Sequence, residues 1–137
     1  MLPPMTKGYD ENKNRVAELA SFGKDLARRA RSKCELCESA GVALAVHEVV
    51  PAEKVPSVER CAFLCAECAK QMSDPRRFEN GEHWRCLAKT VWSEIPAVQV
   101  LALRGLRRMA DSQAWAREAV QEIYVDAEVE VWADASE

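Results

Sequence analysis

Two Cys-x-x-Cys pairs, Cys34 with Cys37 and Cys65 with Cys68, stand 27 residues apart in a chain of 137. A two-residue gap lets one turn aim two sulfurs at a single point. Two such turns supply the four thiolates of a tetrahedral structural zinc site. The N-terminal stretch MLPPMTKGYDENKNR is polar, without the apolar core of a secretory signal. A reducing, cytoplasmic setting is therefore expected, and metal ligation is favoured over disulfides. The expected ligands are Cys34, Cys37, Cys65 and Cys68, with Lys33 beside the first of them to help keep sulfur charged. Cys61, in an apolar stretch, reads as a packing residue. Cys86 belongs to a His83-x-x-Cys86 pair, which together with His47 offers a second and sparser set of metal donors.

The segments around the pairs read as short elements. Residues 42–50 look like a strand ended by Pro51, and residues 61–64 like a second strand running into Cys65. Residues 69–72 predict a short helix that stops before Pro75. Upstream, residues 1–9 hold Pro3, Pro4 and Gly8 and are expected to be loose. Over residues 10–32, Val16, Leu19, Ala20, Phe22, Leu26 and Ala30 recur at helical spacing, with Gly23 as the weak point.

Downstream, residues 73–82 carry the loop signals Ser-Asp-Pro and Asn-Gly. A helix is predicted from Pro96, with Val98, Leu101, Ala102, Leu106 and Met109 as its apolar stripe. Gln99, Arg104, Arg107, Arg108 and Asp111 form its polar one. Ser112 is expected to cap a helix over residues 113–124 that places Trp115, Ala119 and Ile123 on one face. Asp126 suits a last short helix, while the alternation Val129, Glu130, Val131 suits a strand equally well. The expected fold is α+β and mostly helical. A small treble-clef-like zinc module of hairpin and helix (residues 34–72) follows a loose N-terminus and basic helix (1–33). A loop and two or three helices (73–137) complete the chain.

Composition, 48% hydrophobic and 30% charged, is that of a globular chain rather than a disordered one. No apolar run approaches the roughly 18 residues that span a bilayer, so no membrane role is expected. Net charge is −3 but uneven: +4 over residues 1–33, zero over 34–109 and −7 over 110–137. Such a basic front suggests a nucleic-acid contact at Arg28, Arg29, Arg31 and Lys33, beside the first cysteine pair. Two solvated helix faces account for the same charges.

The order of knuckle, strand with VHEVVP, then LCAEC into a helix resembles the frame of HNH endonucleases. That resemblance would make His47 a ligand of a catalytic metal and Glu48 the base that activates water. Ala69, directly after Cys68, stands where that frame often keeps a metal-binding His, and an alanine binds none. A second resemblance covers roughly residues 31 to 133. The stretches KCELC, CAFLCAEC and HWRCLAKTVWSEIPAVQVLALRGL look like the PhnA family, named from alkylphosphonate-utilisation operons. This likeness implies a zinc-binding protein, and the operon name does not by itself imply an enzyme.

Within His83-Trp84-Arg85-Cys86, His83, Trp84 and Arg85 could line a ligand pocket, with Arg85 holding a phosphate or phosphonate and Glu94 and Gln99 joining it. The structural reading has Trp84 or Trp92 packing the C-terminal helices onto the zinc module and His83 bonded to a backbone group. Two functions follow as expectations. The first is a non-catalytic zinc module that binds a nucleic acid or a protein. The alternative is a metal-dependent phosphodiesterase or phosphonate-related hydrolase working through His47, Glu48 and His83. A dimerising scaffold that uses Leu101, Leu103 and Leu106 is a third possibility.

Overall fold

The computed structural model describes residues 4–74, 78 and 82–135, with side chains from Lys13 onward. Its elements are α1 (Pro4–Ser21), α2 (Gly23–Ala30), β1 (Leu44–Glu48), β2 (Cys61–Cys65), α3 (Ala66–Ser73), α4 (Leu87–Thr90), α5 (Pro96–Met109), α6 (Ala114–Glu122) and α7 (Ala127–Asp134). Short 3-10 turns, Val58–Arg60 and Glu82–Cys86, lead into β2 and α4. The fold is α+β and mostly helical, as the sequence predicts. Most of the predicted 73–82 loop lies outside the described residues.

The two strands form an antiparallel hairpin in which Leu44 pairs with Cys65, Val46 with Phe63 and Glu48 with Cys61. Side chains alternate between its faces. One face sends Leu44, Val46, Cys61 and Phe63 against Leu19, Phe22, Leu26, Ala27 and Ala30 of the N-terminal helices. The other sends Ala62 and Leu64 into the main core, which the C-terminal helices complete. The hairpin is thus the middle layer of three.

The single helix expected over residues 10–32 is two helices, and residues 4–9 are already helical rather than loose. The break at Phe22 and Gly23 lets Leu19 and Phe22 on one side, and Leu26 on the other, pack on the same hairpin face. The second helix ends at Arg31 and Ser32, both left-handed with φ of 56° and 59°. The Ser32 amide there donates to the Ala27 carbonyl over 2.9 Å. This turn delivers the chain to the first cysteine pair.

Pro96 opens α5 as expected, but the polar stripe does not hold. Helix α5 is buried nearly all round, Arg104 included at 6% exposure, because the hairpin, α4, α6 and α7 all pack on it. Leu101, Leu103 and Leu106 lie in this core, so the proposed dimerisation face is interior.

Ser112 does not cap α6. Its hydroxyl lies 3.5 Å from the Met109 carbonyl, and that same oxygen accepts the Ser112 and Gln113 amides as α5 unwinds. The last element is a helix. Val129 and Ala133, four apart, are buried while Val131 is 68% exposed, a pattern only the helical period gives. No helix among the described residues is long and apolar enough to cross a membrane.

Candidate metal centre

The first cysteine pair sits in a tight turn after α2. The Cys34 amide donates to Ser39 O (3.0 Å), the Glu38 amide donates to Cys34 O (2.8 Å), and Lys33 bridges to Ala40. Glu38 takes a φ of 64° to close the turn. The second pair comes from a strand-to-helix junction: Cys65 ends β2 and Cys68 lies in the first turn of α3. The hairpin brings the two turns face to face. All four sulfurs lie within 4.8 Å of one another, and no other metal-binding group of three or more donors forms among the described residues.

The spacing suits a metal ion. A tetrahedral thiolate site with bonds of about 2.3 Å has sulfur–sulfur edges of about 3.8 Å. Cys37 Sγ and Cys65 Sγ stand 3.8 Å apart. Cys34, Cys65 and Cys68 are exposed by 1%, 7% and 0%, so water stabilises little charge there, and Cys37 is half-buried. The Cys68 thiol and the amides of Cys37, Cys65 and Leu36 draw the Cys34 thiol down to about 4 against burial. That first thiolate, with burial, pushes Cys68 far up, and burial raises Cys65. Buried sulfurs held this close oppose one another's ionisation, and a bound cation would offset their charge. With a cation bound, every corner of the tetrahedron is protein sulfur.

The remaining predicted donors are spread out. His47 and Glu48 are consecutive in β1 and leave opposite faces of the hairpin. His47 lies on the α5 side, where burial and then the Arg104 guanidinium hold its imidazole below the usual histidine range. Glu48 is clamped by Arg15 of α1, whose Nε donates to Oε1 (3.2 Å) and whose Nη2 donates to Oε2. Arg15 also donates to the carbonyls of Glu53 and Lys54. His83 is elsewhere, with its Nε2 3.3 Å from Cys68 Sγ. The trio His47, Glu48 and His83 therefore does not converge. Its members serve the α5 interface, the α1 interface and the cysteine cluster.

Cys86 stays outside the four-sulfur group. Its thiol donates to His83 O (3.2 Å) and is pushed up to about 12 by burial and then by the charges of Cys37 and Cys34. Cys61 packs between hairpin and helices, raised to about 11 by burial and the Glu48 charge.

The side chains of His83, Trp84 and Arg85 are engaged with different neighbours. Trp84 is fully buried, donates Nε1–H to Gln71 Oε1 (2.8 Å) and stacks on Phe78 at 5.1 Å. Arg85 lies over the Trp115 ring, 5.0 Å from its centroid. Gln99 donates to Val91 O (2.9 Å). Trp84 does the packing expected of either tryptophan, while Trp92 is 57% exposed.

Of the four predicted cationic contacts, Arg28, Arg31 and Lys33 are exposed at the end of α2 beside the first cysteine turn. Arg29 is not available in the same way. It forks onto Glu35 (3.0 and 2.7 Å) and donates to Cys61 O (2.8 Å).

Sequence reasoning missed three supporting residues. Thr90 of α4 donates its hydroxyl to the carbonyl of Leu36, inside the first cysteine turn (2.8 Å). Gln71 fixes Trp84, and Arg104 ties α5 to α7. Each is a polar residue whose partner lies 13 or more positions away, a distance over which periodicity carries no signal. Comparison of the chain with protein-family models, curated proteins and solved structures returns no match.

Proposed function

We propose that this chain is a zinc-stapled, non-catalytic module of the PhnA type that acts by binding a nucleic acid or protein partner. The observation that carries the reading is the closed set of four cysteine sulfurs. A catalytic zinc keeps one position open for water or substrate, whereas four thiolates leave none. The expected zinc ligands are Cys34, Cys37, Cys65 and Cys68, and the soft thiolate set is what supports zinc among the divalent ions. The PhnA resemblance of KCELC, CAFLCAEC and HWRC agrees with a zinc protein. In the fold these stretches supply the four sulfurs, the turn after α2, the strand-to-helix junction at Cys65 and the Trp84 anchor.

The partner-binding face is the exposed trio Arg28, Arg31 and Lys33. Three cations on one helix end suit a phosphate backbone first, and an acidic protein surface second. The phosphodiesterase reading needs a second metal and a base in one place, and the described residues bring no such group together.

The test has two parts. Elemental analysis of protein purified without added metal is expected to give one zinc per chain. Binding to duplex DNA and to single-stranded RNA is expected to fall with salt, and to flatten in slope when Arg28, Arg31 and Lys33 are changed together to Ala. Equal binding by that triple variant removes this face from the reading. Two metals per chain would put the hydrolase reading in its place.

A further inference from the structure

We infer that His83 is a positioning residue of the metal centre, donating its Nε2–H to the Cys68 thiolate, and the inference rests on the reading that the four cysteines hold a metal. His83 Nε2 lies 3.3 Å from Cys68 Sγ. A neutral imidazole nitrogen can donate or accept, but a metal-bound thiolate has no proton to give. With the metal in place the bond can run only one way, from Nε2–H to sulfur. His83 is not one of the four residues whose donor atoms cluster within 4.8 Å, so it contacts one sulfur from outside the tetrahedron.

The ring is held in that pose by its neighbours. It stands edge-on to Trp84, 4.6 Å between centroids at 81°. Trp84 is fully buried and is fixed in turn by Gln71, three residues after Cys68 on the same helix. Cys68, His83, Trp84 and Gln71 thus close a ring of contacts that starts and ends on α3. The Cys86 thiol bonded to His83 O pins the backbone of the same turn.

A donor at sulfur stabilises the thiolate over the thiol, which opposes loss of the metal by protonation and makes the sulfur a poorer nucleophile. Cys37 has a donor of its own in the Ser39 hydroxyl (3.0 Å), so burial separates the two sulfurs: Cys68 is fully buried and Cys37, half-buried, is the one a reagent reaches first. Residues that support a metal ligand in this way typically shift metal affinity 10- to 100-fold.

The experiment uses the full chain loaded with 113Cd in place of zinc. The expected result is a His83 ring with its proton on Nε2 and a scalar coupling from that proton to 113Cd through the Cys68 sulfur. In parallel, His83→Ala is expected to transfer zinc to a chromophoric chelator about tenfold faster. It is also expected to raise iodoacetamide labelling at Cys68 relative to Cys37. His83→Gln, which keeps an N–H donor, is expected to recover part of both. A proton on Nδ1 with no cadmium coupling overturns the inference on the unmutated protein, whether or not the variants fold. Coupling with unchanged transfer in His83→Ala overturns the positioning role. A chain that takes up no metal overturns the metal reading itself, and this inference with it.

Discussion

Arg29 and Glu35 meet as a fork across the start of the first cysteine turn, Nε to Oε2 at 3.0 Å and Nη2 to Oε1 at 2.7 Å. Glu35 Oε1 also accepts the Phe63 amide at 2.8 Å, and Arg29 also donates to Cys61 O. The pair stitches α2 to the metal module and to β2, with the carboxylate side chain only 4% exposed. Arg29→Ala leaves that carboxylate buried without its partner and is expected to cost about 3 kcal/mol. A fall in melting temperature of roughly 10 °C should report it. Arg28→Ala, one position earlier but exposed, is expected to stay within about 0.5 kcal/mol of the parent. Equal effects of the two would show that the fork contributes nothing.

The contrast between Arg28 and Arg29 shows how far the sequence can be read. Both are cations at a helix end, and nothing local separates them. What divides them is Glu35 and the hairpin edge, brought in by tertiary structure. The four cysteines were legible because a two-residue gap is itself a geometric statement about where sulfurs point. The hairpin was legible for a similar reason, since Pro51 and the apolar runs bound its strands. Helix α5 was legible in position but not in burial. Arg104 reads as solvated until its carbonyl partners appear, 28 to 54 positions away. His83 was singled out through HWRC, yet its partner is a sulfur rather than the backbone group expected.

Arg104 itself carries a prediction. Its guanidinium donates to Trp132 O (2.7 Å) and Ala133 O (3.2 Å) at the C-terminal end of α7, and to Val50 O (2.7 Å) just after β1. Trp132 Nε1–H shares the Val50 carbonyl at 3.2 Å. Arg104→Met keeps most of the volume but removes the donor shared by three carbonyls, of which Val50 O keeps Trp132 Nε1–H and Trp132 O keeps the Ala135 amide, with an expected loss of about 1–3 kcal/mol in urea unfolding. Arg104→Lys is expected to recover little, because an ammonium cannot reproduce the planar fork. Full recovery by Lys would mean that charge alone matters at this site.

His47 gives a pH dependence whose sign is fixed. Its folded pKa is depressed, by burial first and Arg104 second, while an unfolded histidine titrates near 6.5. Below that value the unfolded chain takes up a proton that the folded chain resists, so stability falls as pH drops. Above it the histidine is neutral in both states and contributes no slope. Urea unfolding between about pH 7.5 and 5.5 is expected to show this loss. His47→Gln is expected to reduce the slope while leaving the slope from the cysteine centre in place. An identical profile for the variant would mean that the imidazole does not titrate differently on folding.

Two glycines are expected to respond in opposite directions to the same substitution. Glycine within a helix ordinarily costs about 0.5–1 kcal/mol relative to alanine, through backbone freedom in the unfolded chain. At Gly23, the first residue of α2, a Cβ would meet nothing within 4 Å, so Gly23→Ala should recover a gain of that size. At Gly105 of α5 a Cβ would stand 2.5 Å from Leu87 Cδ1 and 2.9 Å from Met72 Cε. Both atoms are the ends of flexible side chains, but Leu87 is fully buried and Met72 nearly so, so their shift has to be taken up by a close-packed core. Gly105→Ala is therefore expected to destabilise, by about 1 kcal/mol net of the entropic gain. The missing side chain at Gly105 is the space that the ends of the Met72 and Leu87 side chains fill, and Met72 sits on α3, the helix that carries Cys68. Chelator-driven metal loss should therefore be faster in Gly105→Ala than in Gly23→Ala, because only the former pushes on the helix that holds Cys68. Equal rates would place the strain outside α3.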